Sequence, residues 1–489
     1  MSAFPPPLDT WATHQALIAS SASFDPASPA NLPSPQPTRS FWTHSDTDAN
    51  PLASEGSTGA LTPDADVCII GSGITGVGVA YHLAQLLPEG KDPLKVVIVE
   101  ARDFCSGATG RNGGHLTPAA FLDFATRARE YGTAEAVRSY ALEEHTAASL
   151  VSITEAHGLS SNVDLVEGGH ISLLLTDLEV KEAREDYEAA EGHLDLTRVE
   201  WVDKETMQRN YGTPYPAVRS PGHNVWPLKL VTELYRLAKA QPQKLSLALH
   251  TRTPVTSITS TPDASGPHKY VVSTPRGPIA CTRIIHATNA YASHLLPFLT
   301  GTAGIIPTRG QVMAVRAGVG ATEITKSGWG GNQGLEYWFP RPVKNPSEHP
   351  LIILGGGREA AVEHPFELYV DDDSVVNPAA GKVLRDFLPG IFPGKFEPGR
   401  EPEMEWTGIM AFTLMGDPFV GPVIDPSDNA SEKYKGQYIA AGYTGHGMPR
   451  AFGCAEVVAQ MIAAELAGEI WSRPAWLPER YLTWNRLGK

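Results

Sequence analysis

The residues of this sequence whose types and spacing point most directly to chemistry are Gly71-Ser72-Gly73-Ile74-Thr75-Gly76. Glycines spaced GxGxxG let the chain turn tightly at Gly71, bring backbone against a pyrophosphate at Gly73 and press a helix onto a strand at Gly76. A diphosphate can then sit at the helix N-terminus. The surroundings fit: Val67 to Ile70 is a short apolar run that reads as a buried strand, and Ile74 to Leu87 reads as a helix with an apolar face. A second apolar run, Lys95 to Val99, delivers Glu100 roughly 20 residues beyond the glycines, where a ribose diol needs an acceptor. The pattern calls for a dinucleotide. NAD, NADP and FAD all satisfy the glycines, and an acid rather than an arginine at position 100 argues against a 2′-phosphate.

The elements that must position this turn extend over most of the chain. At 489 residues the sequence is long enough for two to three domains of ~150 residues. Residues 1–64 read as an arm rich in Pro, Ser, Ala and Asp, with Trp11, Phe41 and Trp42 as possible anchors to the body. Thr133 to Ala156 reads as a long helix with Thr133 as its N-cap, and Leu228 to Ala240 as a second, amphipathic one. "IIHATNAY" (284–291) reads as a buried strand running into a small-residue turn, and "EYWFPRPVKNPSEHPLIILGGGRE" (336–359) as two strands joined by a proline-rich loop. A strand, glycine turn and helix return in "YIAAGYTGHGMPRAFGCAEVVAQMIAAELAG" (438–468), with Pro449 in the favoured first turn. Two such units at opposite ends of the chain point to one shared cofactor site. The formal net charge of -15 opposes a nucleic-acid partner, and no window has the ~20 unbroken apolar residues of a membrane helix. The start lacks the layout of a secretion signal, so a soluble, cytoplasmic protein is expected. The four cysteines form no CxxC pair, and no metal site is expected.

Together these stretches resemble the D-amino-acid oxidase superfamily of flavoproteins, in the group with glycine, sarcosine and gamma-glutamylputrescine oxidases. The resemblance spans about Asp66 to Leu466 and rests on Gly71 to Gly76 with Glu100, "SGATGRNGGH" (106–115), "PTRGQV" (307–312) and "GYTGHGM" (442–448). The runs "GATGRNGG" and "GYTGHG" are most similar to those of gamma-glutamylputrescine oxidase-like proteins. The resemblance implies an α/β fold: a Rossmann-like FAD domain (65–160, 222–304 and 405–489) with a smaller mixed or antiparallel-sheet substrate domain (161–221 and 305–404). It implies FAD as cofactor. Gly71, Ser72, Gly73, Ile74, Thr75 and Gly76 would hold the diphosphate, and Glu100, with Ala101 and Arg102, the adenosine ribose. Thr109, Arg111, Asn112, Gly113, Gly114 and His115 would line the passage to the ring. Val255 would meet the adenine, Thr288 and Asn289 would close over the dinucleotide, and Gly408, Gly445, His446, Gly447 and Met448 would border the flavin.

Departures from the family pattern carry information too. Glycine-oxidase-like relatives carry an arginine after W-x-G that clamps a carboxylate, but here the run is Trp406-Thr407-Gly408-Ile409-Met410. Sarcosine oxidases have a flavin-bonded cysteine in this neighbourhood, and this chain has no cysteine between Cys281 and Cys454, so non-covalent FAD is expected. They also place a lysine near what is here Ile353. Its absence leaves oxidase and dehydrogenase both open, with oxidase the first reading. His115, Tyr337 and Arg341 are the candidate catalytic residues, Arg341 as the partner of an anionic substrate group. Arg309 and Cys105 read as structural, and Glu143 and Glu144 as a solvated helix face.

The reaction expected is oxidation of the C–N bond of a small amine by hydride transfer to flavin N5, giving an imine that hydrolyses, with oxygen or another acceptor taking the electrons. A D-amino-acid or N-methyl-amino-acid oxidase is the enzymatic alternative, and a non-catalytic flavin-bound scaffold or binding module the alternative of another class. The sequence leaves the oligomeric state open.

Overall fold

The computed structural model describes residues 28–486, apart from 91, 262–265, 267 and 428–431. Trp11 and the first prolines of the arm lie outside the described residues. Two large sheets organise the rest. In the first, strand β1 (Asp64–Ile70) is central and parallel to both neighbours, β2 (Leu94–Val99) with Val67 opposite Val96 and Gly277–His286 with Val67 opposite Arg283. Leu245–His250 extends the sheet beyond β2, again in parallel, while Tyr270–Thr274 and Ser257–Ser260 add antiparallel strands beyond Gly277–His286. Gln437–Ala441 also pairs in parallel with Gly277–His286, bringing the far end of the chain next to β1's neighbour. Parallel strands covered on both faces need continuous apolar runs, and Val67–Ile70 and Val96–Val99 are such runs, all buried. This is an α/β, Rossmann-like unit.

Helix α1 (Ile74–Leu86) follows β1, and helix α2 (Met448–Ala467) follows Gln437–Ala441. They pack on each other through small residues: a Cβ on Gly78 would stand 3.0 Å from Ala455 Cβ and 3.1 Å from Phe452. The long helix Thr133–Ala156 lies against α2, with Gly453 abutting Thr146. Its N-cap is Gly132, at φ 83°, rather than Thr133, because the left-handed turn there favours glycine.

The second sheet is mixed and runs in the order Met404–Phe412, Ile306–Arg316, Leu351–Gly356, Glu336–Pro340, Gly328–Gly331, His170–Leu173, Ala217–Ser220, Glu200–Val202. Met404–Phe412 was grouped with the nucleotide-binding portion from sequence; it is instead an edge strand here, antiparallel to Ile306–Arg316 along its length, Gly408 opposite Gly310. A small three-stranded sheet of His115–Leu116, His223–Asn224 and Val166–Glu167 lies between the two. Of the arm's aromatic residues, Trp42 is fully buried, its indole N–H donating to Asn112 C=O, and Phe41 packs against it. Among the described residues no helix is long and apolar enough to cross a membrane.

Candidate active site

The turn after β1 is shaped by its glycines. Gly71 has φ 110°, and a Cβ there would stand 2.5 Å from Ala287 C=O; one on Gly76 would stand 2.0 Å from Gly71 C=O. Only glycine lets the loop close this tightly, with Gly71 N–H donating to Val99 C=O at 2.8 Å. The helix that follows has no side-chain cap at Gly73, so its first-turn N–H groups face the space in front of the turn. Among the described residues, only Ile74 N–H is met from outside the helix, by Thr109 Oγ1 at 3.1 Å.

That space is one cavity of about 860 Å³, within the range of ligand sites. Gly71, Gly73, Ile74 and Thr75 line it, as do Glu100 to Arg102, Thr109, Arg111 to His115, Val255, Thr288, Asn289, Gly408 and Gly445 to Met448. Two residues assigned to it from sequence stand back. Ser72 is buried behind the turn, its hydroxyl donating to Glu100 Oε2 at 2.8 Å and accepting from Cys105 N–H at 2.8 Å; Gly76 serves the packing just described. Glu100 also accepts from the N–H groups of Ser72 and Arg102 at 3.0 Å, which fixes the carboxylate at the tip of β2. The guanidinium groups of Arg102 and Arg111 are spent on a buried ion pair with Asp373, at 2.8 and 3.2 Å. The N-terminus of α2 opens on the same cavity, and Thr75 and Tyr443 hydroxyls, 2.9 Å apart, tie the two helix starts together.

The other end of the cavity is walled by the second sheet. Tyr337 is wedged between Gly113 and Gly355, where a Cβ on either glycine would stand 2.3 Å from its ring, and burial pushes its hydroxyl up to about 12. His115 meets Tyr337, Phe339 and His170 edge to face, with centroids 5.7, 5.4 and 5.8 Å away. Among the described residues, neither ring nitrogen of His115 has a hydrogen-bond partner, nor has Nδ1 of His170. Burial pulls His115 down to about 4 and His170 to about 3, so both rings are neutral at pH 7.

Arg341 is a correction. It lies outside the cavity, ion-paired with Asp164 and boxed by the rings of Phe41, Trp42, Trp226 and Phe339, because it falls two residues beyond Phe339, where the aromatic residues of the arm cover the strand end. Beside Tyr337 the cavity is lined instead by Arg358, two residues past the strand end at Gly356. It sits 5.0 Å from the Phe412 ring, donates to Phe366 C=O at 3.5 Å and makes no ion pair with a described carboxylate. Glu336, Glu359 and Glu367 are near enough to act on its charge; burial raises the carboxyls of Glu336 and Glu359, and the Glu359 charge raises Glu336 further. Met410 and Phe412, alternate residues of one strand, line the cavity beside it.

Glu143 is a second correction: the fold buries it between helices instead of exposing it. It accepts from Ala119 N–H at 2.7 Å and Arg450 Nε at 2.7 Å, and lies 3.0 Å from His446 Nε2. Burial alone would raise its carboxyl, but His446 and Arg450 hold it far below the usual range. It therefore anchors the 442–448 turn from behind. Glu143 falls on the stripe Ala136, Tyr140, Ala147, Leu150 that faces the core, a spacing visible in the sequence. Arg309 is structural, paired with Glu367, and Cys105 is fully buried, its thiol pushed well up by burial.

A flavin dinucleotide fits these residues. The glycine cradle admits a diphosphate, Glu100 is placed for a ribose, and the Thr288 hydroxyl is buried at the cavity wall with no partner among the described residues. The sequence profile described as "FAD dependent oxidoreductase" (DAO) matches residues 66–461. The chain is 24% identical over 408 residues to the probable oxidoreductase OrdL of Rhizobium meliloti (strain 1021), covering 81% of this chain and 82% of that one. It is 26% identical over 424 residues to the gamma-glutamylputrescine oxidoreductase of Escherichia coli (strain K12), covering 83% and 84%. Among solved structures it is similar to glycine oxidase from Geobacillus kaustophilus, with a TM-score of 0.59, 20% identity and coverage of 86% of this chain and 99% of that one.

Proposed function

The chain belongs to the DAO family of FAD-dependent oxidoreductases, and from that premise we propose that it oxidises the C–N bond of a small amine that also carries a carboxylate. Arg358 carries the proposal: a cation facing the cavity that makes no ion pair among the described residues is suited to an anionic substrate group. Met410 stands where glycine-oxidase-like relatives have their clamping arginine, and Arg358 reaches the Met410–Phe412 side from the end of Leu351–Gly356.

FAD, when bound, supplies the hydride acceptor. The chain's residues would do the placing. The α1 turn and Glu100 would hold the diphosphate and ribose without a covalent link. Gly445 to Met448, at the N-terminus of α2, would present N–H groups and a positive helix end to the pyrimidine edge, held in position by Glu143. Tyr337, Phe412 and Met410 would exclude water, and a dry pocket favours the uncharged amine whose lone pair drives loss of hydride from its α-carbon. Burial keeps the rings of His115 and His170 neutral, so they would pack against the substrate while the proton of the incoming ammonium goes to solvent. The imine product would leave and hydrolyse, and the electrons would pass to oxygen or another acceptor.

Mixing the yellow protein anaerobically with a panel of amines and amino acids tests this reading. Loss of the flavin absorbance with amines that carry a carboxylate supports it. If no amine or amino acid bleaches the flavin, the protein is a flavin-bound scaffold and the proposal fails.

A further inference from the structure

Residues 30–38 precede the segment matched by the family, 66–461, yet they reach the cofactor cavity, where Asn31, Leu32 and Pro33 line it beside Ala101 and Arg102. Arg102 lies two residues beyond Glu100, so this is the end of the cavity where the ribose acceptor stands. The segment is pinned at its start: Ala30 N–H donates to Ser293 Oγ at 2.9 Å and Asn31 N–H to Asp371 Oδ2 at 2.7 Å. It is pinned again at its end, where Thr38 N–H donates to Asp373 C=O at 2.8 Å and Thr407 N–H donates to Thr38 Oγ1 at 2.9 Å. Between these points Ser34 C=O accepts from Arg102 Nη1 at 3.2 Å. Arg102 and Arg111 are both held by Asp373, and Arg111 also donates to Thr38 C=O. One loop, carrying Asp371 and Asp373, thus fastens both ends of the segment across the cavity.

We propose that residues 30–38 are a cofactor-binding strap, with the adenosine half of FAD packed under Asn31 to Pro33, so that FAD enters or leaves only when the strap lifts. This rests on the reading that FAD lies with its diphosphate at Gly71 to Gly76. Leu32 and Pro33 give an apolar cover for an adenine face, while the polar pins, backbone N–H groups held by Ser293, Asp371, Thr38 and the Asp373 carbonyl, need no ligand to form. The pins at Ala30 and Asn31 are the weaker end, because the Asn31–Asp371 contact is exposed and the Asp373 cluster is buried.

The test uses the full-length protein. Arg39 is exposed just past the strap and is a trypsin site whose cleavage product is identified by mass. Bound FAD is expected to slow cleavage after Arg39 tenfold or more relative to the FAD-free protein. ADP, which carries the adenosine half, is expected to protect as well, and FMN, which lacks it, is not. In the double variant Ser293→Ala/Asp371→Ala the FAD dissociation rate, followed by recovery of free-flavin fluorescence, is expected to rise tenfold or more. Should that variant not fold, Leu32→Ser tests the same rate by removing only apolar cover. ADP that binds the FAD-free protein without protecting Arg39, or an unchanged dissociation rate in a folded variant, overturns the strap. ADP that does not bind at all overturns the placement of the diphosphate instead.

Discussion

On the proposed reading, the substrate class turns on one guanidinium, that of Arg358. A charged hydrogen bond to a carboxylate contributes about 1.5–3 kcal/mol, so Arg358→Gln should raise KM for a carboxylate-bearing amine roughly tenfold to a hundredfold. The KM for an amine without a carboxylate should stay the same. Steady-state kinetics on both substrates checks this, and equal effects on the two would show that Arg358 supports the wall and not the substrate. Residue type alone did not disclose this role. Arg341 and Arg358 both follow apolar strands in the same stretch of sequence, and which of them faces the cavity depends on where each strand ends in the sheet. His170 was invisible for a similar reason: a lone histidine on a four-residue strand has no neighbours in sequence to mark it. Glu143 was legible in principle, since its spacing puts it on the buried stripe, but a carboxylate there reads as solvated until its partners Arg450 and His446, some three hundred residues away, are in place.

The elements that hold the cofactor were the most legible part of the chain. The strand, glycine turn and helix at Asp64–Leu86 and at Gln437–Ala467 follow from local rules, and each spans nearly the residues read from sequence. Gly76→Ala should break the first of them. Its Cβ would stand 2.0 Å from Gly71 C=O, an overpacking worth about 1–3 kcal/mol that displaces the turn. FAD per chain and the melting temperature should both fall, while Gly90→Ala, where a Cβ has 3.9 Å of room, should leave both unchanged. Long-range pairing was less legible. Met404–Phe412 joins the second sheet because Ile306–Arg316 offers it an antiparallel partner, a choice that no local pattern records. Pairing also buries His286, with Nε2 2.8 Å from Gln437 Oε1, and burial lowers it to about 4. The unfolded chain takes up that proton near pH 6.5, so the stability contributed by the neutral ring is present above that pH and is lost as pH falls toward 4. Between pH 7 and 5 the wild type should lose about 2 kcal/mol more than His286→Gln. Urea unfolding at both pH values checks it; parallel losses would mean that the ring is already charged in the fold.

At the scale of the whole molecule, both ends of the sequence and both sheets converge on one cavity. The first sheet leads into two helix N-termini and an acid suited to a dinucleotide, the second contributes Tyr337 and Met410 and, just past a strand end, Arg358, and the segment before the family's first strand lines the end near Arg102. This division assigns the cofactor to the first sheet and the choice of substrate to the second, so the central claim concerns what the second sheet recognises. The most direct test is anaerobic stopped-flow of the FAD-loaded protein against matched pairs of amines that differ only in a carboxylate, followed by flavin absorbance at several pH values. The account predicts that the carboxylate-bearing member of a pair bleaches the flavin at tenfold or lower concentration than its partner, with the rate rising as the amine loses its proton. Equal half-saturation for both members, or bleaching by neither, would contradict it.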